Sequence, residues 1–199
     1  MSFKINRVYT RSGDAGETSL IDGSRVLKCN SRCQIFGGLD EVSCHLGLAK
    51  DSLTDRNLLI QVTDVVEFLQ QELFDLGSEI AIPKGLSFEG MLIVGNANVE
   101  YLEKLCDFFN AGLPELESFI LPGGDTAASH FHVARTVTRR VERELVSFLQ
   151  TEPDLVSQDA LKYFNRLSDL LFVLSRYVLH ELNKSVPLWK KGKDRKFPI

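Results

Sequence analysis

Three arginines in the second half of the chain, Arg135, Arg139 and Arg143, recur at every fourth position. Residues four apart in an α-helix lie one turn above another, so this spacing predicts a stack of guanidinium groups on one face. Like charges at that spacing repel one another by about a few tenths of a kcal/mol per pair. A group of opposite charge should therefore offset the repulsion along this arginine stripe.

The residues alone leave two interpretations of the arginine stripe open. In the first, the stripe is a solvated face, and the nearby Glu142 and Glu144 are its counter-ions. In the second, it is an anion site, because guanidinium forks match phosphate oxygens in geometry as well as in charge. Arg140 lies beside the stripe and adds to its positive charge.

A second candidate site lies near the N-terminus, where residues 9–20 read YTRSGDAGETSL. Its Gly, Ser, Asp and Thr residues can turn the chain tightly and present backbone N–H groups and hydroxyls. Such loops can cradle phosphates, although this one lacks the Lys and Ser/Thr that follow the second glycine of a P-loop. Arg11 and Lys28 add positive charge at its two ends.

Polar residues also interrupt two of the apolar helical patterns. Asn165, Ser168 and Asp169 are three and four positions apart, so they share one helix face. That face is either a surface strip or one wall of a site shared with the arginine stripe. Asp40 directly follows the apolar Leu39, and a partly buried carboxylate there needs a cationic partner.

Five stretches of apolar helical periodicity position these residues, and they cover 32–50, 57–81, 99–109, 126–150 and 158–183. Asp125 or Thr126 is the predicted N-cap of the fourth. The positions assigned to apolar faces include Leu48, Leu58, Phe108, Val133, Val137 and Val141. β-type alternation is confined to very short runs, such as 91–94. The predicted fold is therefore all-α, a five-helix antiparallel bundle.

The composition is that of one ordinary globular domain of 199 residues, with 44% hydrophobic and 25% charged residues. We expect an N-terminal loop at 1–30, a helical bundle at 31–183 and a tail at 184–199 that docks through Trp189. The net charge of −4 argues against broad nucleic-acid binding. No membrane span is predicted, and a cytoplasmic location is expected because no apolar leader follows Met1.

The four cysteines do not form a metal-binding or disulfide pattern. Cys29 and Cys33 are four apart, but no second close pair and no histidine cluster completes a zinc set. Free thiols are therefore expected.

Three separated blocks carry a family resemblance. They are YTRSGDAGETSL at 9–20, GGLDEVSCHLGLA at 37–49, and FILPGG, HVARTVTRRVER and YFNRLSDLLFVLSRY within 119–177. Together they span nearly the whole chain, and in this order they resemble the PduO-type ATP:cob(I)alamin adenosyltransferases. Each block alone is moderately specific, whereas the combination is very specific.

The resemblance implies a homotrimer with each active site between two subunits. It implies transfer of the 5′-deoxyadenosyl group of ATP to the cobalt of cob(I)alamin, giving adenosylcobalamin and triphosphate. An alternative on the same bundle is a corrinoid carrier that delivers its cofactor to a cobalamin-dependent partner enzyme. A third hypothesis is a structural bundle whose arginine stripe is only an ion-pair network. A corrinoid reductase is a further candidate partner.

The resemblance also assigns roles to residues. The ATP-binding set is Thr10, Arg11, Ser12, Gly13, Thr18, Ser19, Lys28, Arg139, Arg140, Glu142, Arg143 and Asn165. Phe119 would form a hydrophobic wall on the corrinoid side, and Asp40 would pair with Arg135 across the subunit boundary. Phe119, Arg139, Asp40 and Arg135 are thus the candidate catalytic residues.

Two positions depart from the family pattern. Ala15 stands where the family loop usually has lysine, so one positive charge near the triphosphate is expected to be missing. Ser43 replaces a family amide. Mg²⁺ is expected to bind through phosphate oxygens, water and at most one protein oxygen, whose residue the sequence does not identify.

Overall fold

Two short strands precede five helices in the computed structural model, which describes residues 8–55, 57–82, 86, 92–153 and 156–192. The strands are β1 (Glu17–Ser19) and β2 (Arg25–Leu27). The helices are α1 (Ser31–Asp51), α2 (Ile60–Ala81), α3 (Asn96–Asn110), α4 (Thr126–Leu149) and α5 (Gln158–Glu181). All five predicted helices are confirmed.

Parts of three sequence predictions lie outside the described ranges. They are residues 1–7 of the N-terminal loop, residues 193–199 of the tail and residue 91 of the short run at 91–94. The described residues of that run, 92–94, are not in a strand.

The helices pack in the spatial order α2, α1, α4, α5, α3, with α4 between α1 and α5. Residue pairs across the α1–α4 contact show its direction, because Gly38 lies against Val141 and His45 faces His130. The two helices therefore run antiparallel, and similar pairs show that α1–α2 and α4–α5 are antiparallel as well.

One pair departs from the predicted antiparallel arrangement. Arg166 of α5 pairs with Glu103 of α3, and Arg176 of α5 donates to Asn110 of α3. Because both residue numbers rise together, α3 and α5 run parallel. The sequence prediction was wrong here because the main packing of α3 is on α5, which is distant in sequence, and periodicity carries no information about partners.

Side-chain caps fix where three helices begin. Asp125 accepts a hydrogen bond from the Ala127 amide at 2.8 Å, so Asp125 rather than Thr126 is the N-cap of α4. Asn30 and Ser157 cap α1 and α5 in the same way. Each cap satisfies an amide that has no partner within the helix.

The core lies between the facing helices, but several apolar positions predicted to be buried are exposed. Val137 and Val141 are buried as predicted, whereas Val133 is 39% exposed. Four residues advance 400° around a helix, so a strict four-residue spacing drifts about 40° per step away from the core. The predicted burial was also wrong for Leu48, Leu58 and Phe108.

A buried arginine joins the ends of three helices. Arg32, at the start of α1 and 7% exposed, donates to the carbonyl oxygens of Ile80 and Ile82 and pairs with Glu152 at 2.9 Å. These contacts satisfy carbonyls at the end of α2, which would otherwise lack partners. They anchor α1 against the residues that follow α2 and α4.

The N-terminal segment contains a hairpin that the sequence prediction missed. β1 and β2 pair antiparallel, with Thr18 opposite Val26. The turn contains Asp22 and Gly23, and Asp22 accepts from the Ser24 amide while Gly23 has a φ of 82°. Asp-Gly is a strong hairpin signal, so this dipeptide could have revealed the turn.

Two expectations about composition can be compared with the structure. All four cysteines are free thiols, as predicted. Within the described ranges, none of the helices combines the length and apolarity that crossing a bilayer demands.

The closest approach between α1 and α4 depends on a glycine. A Cβ atom at Gly38 would lie 2.3 Å from Cγ2 of Val141. Real carbon atoms do not approach this closely, so any side chain at Gly38 must push α1 away from α4. Gly37 lies beside it on the same helix, and a Cβ there would have no neighbour within 4 Å.

Gly38→Ala is expected to lower the free energy of unfolding by about 1–3 kcal/mol, because overpacking displaces α1 from α4. Urea denaturation measures the change. Gly37→Ala is the matched control and should raise stability by about 0.5–1 kcal/mol through helix propensity. Adding Val141→Ala should restore part of the loss in Gly38→Ala, since it removes the clashing methyl. Equal stability of the two alanine variants would contradict the close contact.

Candidate active site

The arginines of the stripe on α4 differ in their exposure and in their partners. Arg139 and Arg143 are exposed, and Nη1 of Arg143 donates to the carbonyl oxygen of Arg139 at 3.0 Å. No carboxylate of the described residues pairs with either guanidinium. The counter-ions proposed in the first interpretation are engaged elsewhere, since Glu144 pairs with Arg140 and Glu142 accepts from Asn165. Within the described residues, the solvated-face interpretation therefore lacks its expected counter-ions.

Arg140 points to a different environment. Its guanidinium pairs with Glu41 on α1 and with Glu144 one turn along α4. The contact with Glu41 joins α1 to α4, and the two carboxylates together neutralise the charge of Arg140. The structure does not bring Arg140 together with the open guanidinium groups of Arg139 and Arg143.

The polar face of α5 meets α4 at one residue. Nδ2 of Asn165 donates to Glu142 at 3.3 Å, and Oδ1 of Asn165 accepts from Arg166 at 2.7 Å. Ser168 is buried and donates to the carbonyl oxygen of Asn165, while Asp169 is exposed. Of the predicted triplet, Asn165 is the residue with a recorded side-chain hydrogen bond to α4 within the described part of the chain.

The N-terminal loop forms a second polar cluster. The hydroxyls of Thr10 and Ser12 are hydrogen-bonded at 2.7 Å, and a Cβ atom at Gly13 would lie 3.1 Å from Nζ of Lys28. Lys28 thus lies directly over the loop. Arg11 adopts a left-handed conformation with a φ of 62°, which only the surrounding turn can impose on a non-glycine residue.

Arg25 supports this loop and was missed by the sequence analysis. Its guanidinium donates to the carbonyl oxygen of Ser12 at 2.7 Å and to Oγ of Ser19 at 3.1 Å. Arg25 also pairs with Glu17 across the hairpin. Thr18 and Ser19 are adjacent on β1, so their side chains point to opposite faces of the hairpin, and Ser19 is the one that contacts Arg25.

These two clusters do not touch within one chain. No hydrogen bond or ion pair among the described residues joins the loop at 10–13 or Lys28 to Arg139, Arg143 or Asn165. Each cluster is held by its own hydrogen bonds, and none of those recorded for the described residues connects one cluster to the other.

Phe119 lies on a separate exposed segment before α4. It is 79% exposed, and its ring meets Trp189 edge to face at a centroid distance of 6.4 Å. The Trp189 amide donates to the carbonyl oxygen of Phe119 at 2.7 Å, and the Leu121 amide donates to Pro187 at 2.8 Å. Residues 187–189 therefore form a strand-like pairing with residues 119–121, which a composition-based view of the tail could not reveal.

Asp40 and Arg135 lie on different faces of the single chain. Asp40 is exposed and lines a mostly apolar groove of about 480 Å³ between α1 and α2. Arg135 is half-buried, and its Nε has no hydrogen-bond acceptor in the described part of the chain. Burial, and then the charge of Arg139, lowers the pKa of Arg135. The expected Asp40–Arg135 pair is not formed within one chain.

Known proteins are similar to this chain in sequence and in fold. The sequence profile described as cobalamin adenosyltransferase matches residues 8–178. The chain belongs to this family. The corrinoid adenosyltransferase of Mycobacterium tuberculosis (strain H37Rv) is 40% identical over 196 residues, covering 98% of each chain. That of Bacillus subtilis (strain 168) is 37% identical over 172 residues, covering 86% of each.

Solved structures extend the likeness to three dimensions. A variant PduO-type ATP:corrinoid adenosyltransferase from Lactobacillus reuteri, complexed with cobalamin and ATP, superposes with a TM-score of 0.83 at 32% identity. The alignment covers 93% of this chain and 100% of that one. A second variant of that enzyme, complexed with ATP, gives a TM-score of 0.82 at 33% identity over 92% of this chain and 100% of the other.

This member of the cobalamin adenosyltransferase family has no protein cage for a metal ion in its described part. No group of three or more His, Cys, Asp or Glu side chains there could hold one. Mg²⁺ needs few protein ligands when phosphate oxygens and water complete its octahedron.

A buried histidine lies one turn before Arg135 on α4. His132 is 3% exposed, its ring packs on Phe172 at 6.3 Å, and its Nδ1 has no described hydrogen-bond partner. Burial, reinforced by the charge of Arg135, lowers the pKa of His132 to about 4. The imidazole is thus held neutral between α4 and α5.

Because the pKa of His132 is lowered in the folded protein, the free energy of unfolding should fall in acid. Between about pH 6.5 and pH 4, unfolding lets the histidine take up a proton, so stability falls as pH falls through this window. Between pH 7 and pH 4.5, the titration of His132 should lower the free energy of unfolding by about 2–3 kcal/mol. Urea denaturation at both pH values should show this difference between the unmodified chain and His132→Leu. Identical pH dependence in the two proteins would contradict a depressed pKa.

Proposed function

We propose that the chain transfers the 5′-deoxyadenosyl group of ATP to the cobalt of cob(I)alamin. The observation that carries this proposal is the pair of open guanidinium groups at Arg139 and Arg143, which lie near the Glu142–Asn165 contact and have no carboxylate partner among the described residues. Membership of the cobalamin adenosyltransferase family supports it.

The reaction requires little covalent chemistry from the protein. The electron pair of Co(I) attacks C5′ of ATP, a Co–C bond forms, and the C5′–O bond breaks. Triphosphate leaves with the electrons of that bond, and the cobalt becomes formally Co(III). The protein accelerates such a displacement by holding the reactants in line and stabilising the charge on the leaving group.

Charge stabilisation is assigned to Arg139, Arg143 and Lys28. Guanidinium forks bind phosphate oxygens in pairs, and the ammonium group adds a point charge. The hydroxyls of Thr10, Ser12, Thr18 and Ser19 and the backbone around Gly13 supply further donors. Mg²⁺ bound to ATP would neutralise part of the triphosphate charge. Because Ala15 carries no charge where the family usually has lysine, Lys28 supplies a larger share of the positive charge near the triphosphate.

Binding the adenosine end is assigned to Glu142 and Asn165. Their hydrogen bond of 3.3 Å is long, and both side chains are only partly buried. They can therefore exchange this contact for hydrogen bonds to a ribose hydroxyl or to the adenine. Arg140, already paired with two carboxylates, is assigned a structural role at the α1–α4 contact.

The corrinoid face is assigned to Phe119. An exposed aromatic ring is unfavourable in water, and an apolar ligand would cover it. A hydrophobic wall beneath cobalt would exclude the lower axial ligand, which destabilises Co(II) relative to Co(I) and makes reduction easier. The electron itself must come from a reductant outside this chain.

The active form is proposed to be a homotrimer with sites between subunits. Two observations support an intersubunit site. Among the described residues, no hydrogen bond or ion pair joins the N-terminal cluster to the arginine cluster. Within the same part of the chain, Asp40 has no ion-pair partner and Nε of Arg135 has no acceptor. A neighbouring subunit would supply both missing sets of contacts.

The basic test incubates the protein with ATP, Mg²⁺ and chemically reduced cobalamin, and follows the loss of the Co(I) spectrum. Arg139→Ala should weaken ATP use, because it removes a charge-assisted contact that contributes about 1.5–3 kcal/mol. That corresponds to a fall in kcat/KM for ATP of roughly 10–150-fold.

Lys162→Ala is the matched control for Arg139→Ala, since it removes an exposed cation of α5 that pairs only with Asp159 one turn away. Its kcat/KM for ATP should be unchanged. Equal kinetics of Arg139→Ala and the unmodified chain would make Arg139 a surface residue. Tight corrinoid binding without any product would instead indicate a carrier.

The intersubunit pair can be tested by a double-mutant cycle on Asp40→Asn and Arg135→Ala. A buried pair broken on one side costs about 3–5 kcal/mol, whereas an exposed pair costs about 1 kcal/mol or less. We expect the two changes to be coupled, both in trimer content by analytical ultracentrifugation and in corrinoid affinity. Simple additivity would show that these side chains do not meet.

A further inference from the structure

Arg25 makes three contacts within the N-terminal segment, and the proposed reaction gives it no role. Its Nη2 donates to the carbonyl oxygen of Ser12 at 2.7 Å, and its Nη1 donates to Oγ of Ser19 at 3.1 Å. Its Nε lies 3.5 Å from a carboxylate oxygen of Glu17. Each guanidinium nitrogen thus has a partner and the charge is paired, so Arg25 is not placed as a phosphate ligand itself.

The contact with Ser12 fixes the orientation of the peptide group that joins Ser12 to Gly13. In a planar trans peptide, the C=O and N–H groups point in opposite directions. Because Arg25 holds the carbonyl oxygen of Ser12, the amide of Gly13 points away from Arg25. The amides of Asp14 and Gly16 donate to carbonyl oxygens within the turn, whereas the Gly13 amide has no acceptor among the described residues.

Net charge alone does not make this segment an anion site. Three cations and three carboxylates lie within residues 8–28, namely Arg11, Arg25, Lys28, Asp14, Glu17 and Asp22. Because these charges cancel, the binding of a phosphate here depends on where individual donors are aimed. A Cβ atom at Gly13 would lie 3.1 Å from Nζ of Lys28, so an ammonium group lies beside the residue that carries the unused amide.

We propose that Arg25 is a positioning residue for the nucleotide, because it holds the peptide between Ser12 and Gly13 with its N–H aimed at a phosphate oxygen. The inference rests on the proposed function, which identifies that phosphate as part of ATP. The directed N–H and the nearby charge of Lys28 would act on the same phosphate group. Arg25 also prepares a second donor, since Oγ of Ser19 accepts from it and keeps its own proton for the ligand.

A purely structural role for Arg25 predicts different kinetics. If its guanidinium only held the hairpin together through Glu17, its loss would lower stability and the fraction of active protein, and therefore kcat. A positioning role changes the binding of the phosphates instead. The contact is made in the bound substrate as well as in the transition state, so its loss should appear in KM rather than in kcat.

The kinetic test follows adenosylation of cob(I)alamin at varied ATP. Arg25→Ala should raise the KM for ATP about tenfold, with kcat changed less than about twofold. Arg25→Lys keeps the charge and one donor, so it should recover about half of that effect on a logarithmic scale. Glu17→Gln removes the hairpin ion pair but leaves both donations of Arg25, and it should change the KM for ATP less than about twofold. A lower kcat with an unchanged KM in Arg25→Ala would leave Arg25 with a structural role only.

The Gly13 amide can also be observed directly. Ser12–Gly13 is the single Ser-Gly pair in the sequence, so labelling with carbonyl-¹³C serine and ¹⁵N glycine gives one cross-peak in an HNCO spectrum. MgATP without corrinoid should move the proton of this peak downfield, because the amide gains a phosphate acceptor. Inorganic tripolyphosphate with Mg²⁺ should do the same. In Arg25→Ala, the midpoint of either titration should rise about tenfold, whereas Lys162→Ala is the matched control and should leave it unchanged.

This spectrum separates the inference from the proposed function, because it requires neither a corrinoid nor turnover. A shift of the Gly13 peak that depends on Arg25, in a protein that does not adenosylate cob(I)alamin, would refute the reaction and leave the positioning role in place. A Gly13 peak that does not move with MgATP or tripolyphosphate would overturn the positioning role. Equal midpoints for Arg25→Ala and the unmodified chain would overturn it as well.

Discussion

The close contact between Gly38 and Val141 sets the geometry on which the rest of the structure depends. Because α1 has no side chain at this point, it lies near enough to α4 for Glu41 to reach Arg140. That ion pair fixes which arginine of α4 is neutralised. Arg139 and Arg143 then remain on the outer side of the helix, with no carboxylate of the described residues in reach. A packing constraint on one glycine thereby determines where positive charge stays open.

The unpaired guanidinium groups of Arg139 and Arg143 lower the stability of the fold but leave positive charge available to a ligand. Stacked guanidinium groups repel one another, and the fold leaves this repulsion uncompensated at Arg139 and Arg143 while it neutralises Arg140 and Arg32. Arg32 and Arg140 have carboxylate partners and join helices, whereas Arg139 and Arg143 have none among the described residues and are the candidates for binding anions.

Local sequence predicted the elements well, because each depends on residues close to it in the chain. Apolar periodicity located all five helices, and the preference of Asp125 for an N-cap located the start of α4. Spacing and residue type singled out the arginine stripe, the N-terminal loop, Asp40 and Asn165, whereas the resemblance assigned their roles and added Phe119. Burial was predicted less well, since a four-residue spacing drifts around the helix and leaves Val133 exposed.

Long-range pairing could not be predicted from those patterns. The parallel packing of α3 on α5 and the pairing of residues 187–189 with 119–121 depend on which surfaces meet in the folded chain. Arg25 was missed for a related reason. Its support of the N-terminal loop depends on the hairpin, which brings its guanidinium to the carbonyl oxygen of Ser12. The Asp22–Gly23 turn was a usable signal for that hairpin.

The spatial order of the helices also has a consequence for how the chain folds. α1 packs on α4 and α3 packs on α5, so two of the main contacts join segments that are far apart in sequence. Folding rates fall as contacting residues become more distant along the chain, because long loops must close first. During synthesis, the apolar faces of α1 and α3 wait for partners that leave the ribosome later. This bundle should therefore fold more slowly, and depend more on protection of its nascent chain, than one built from successive helical hairpins.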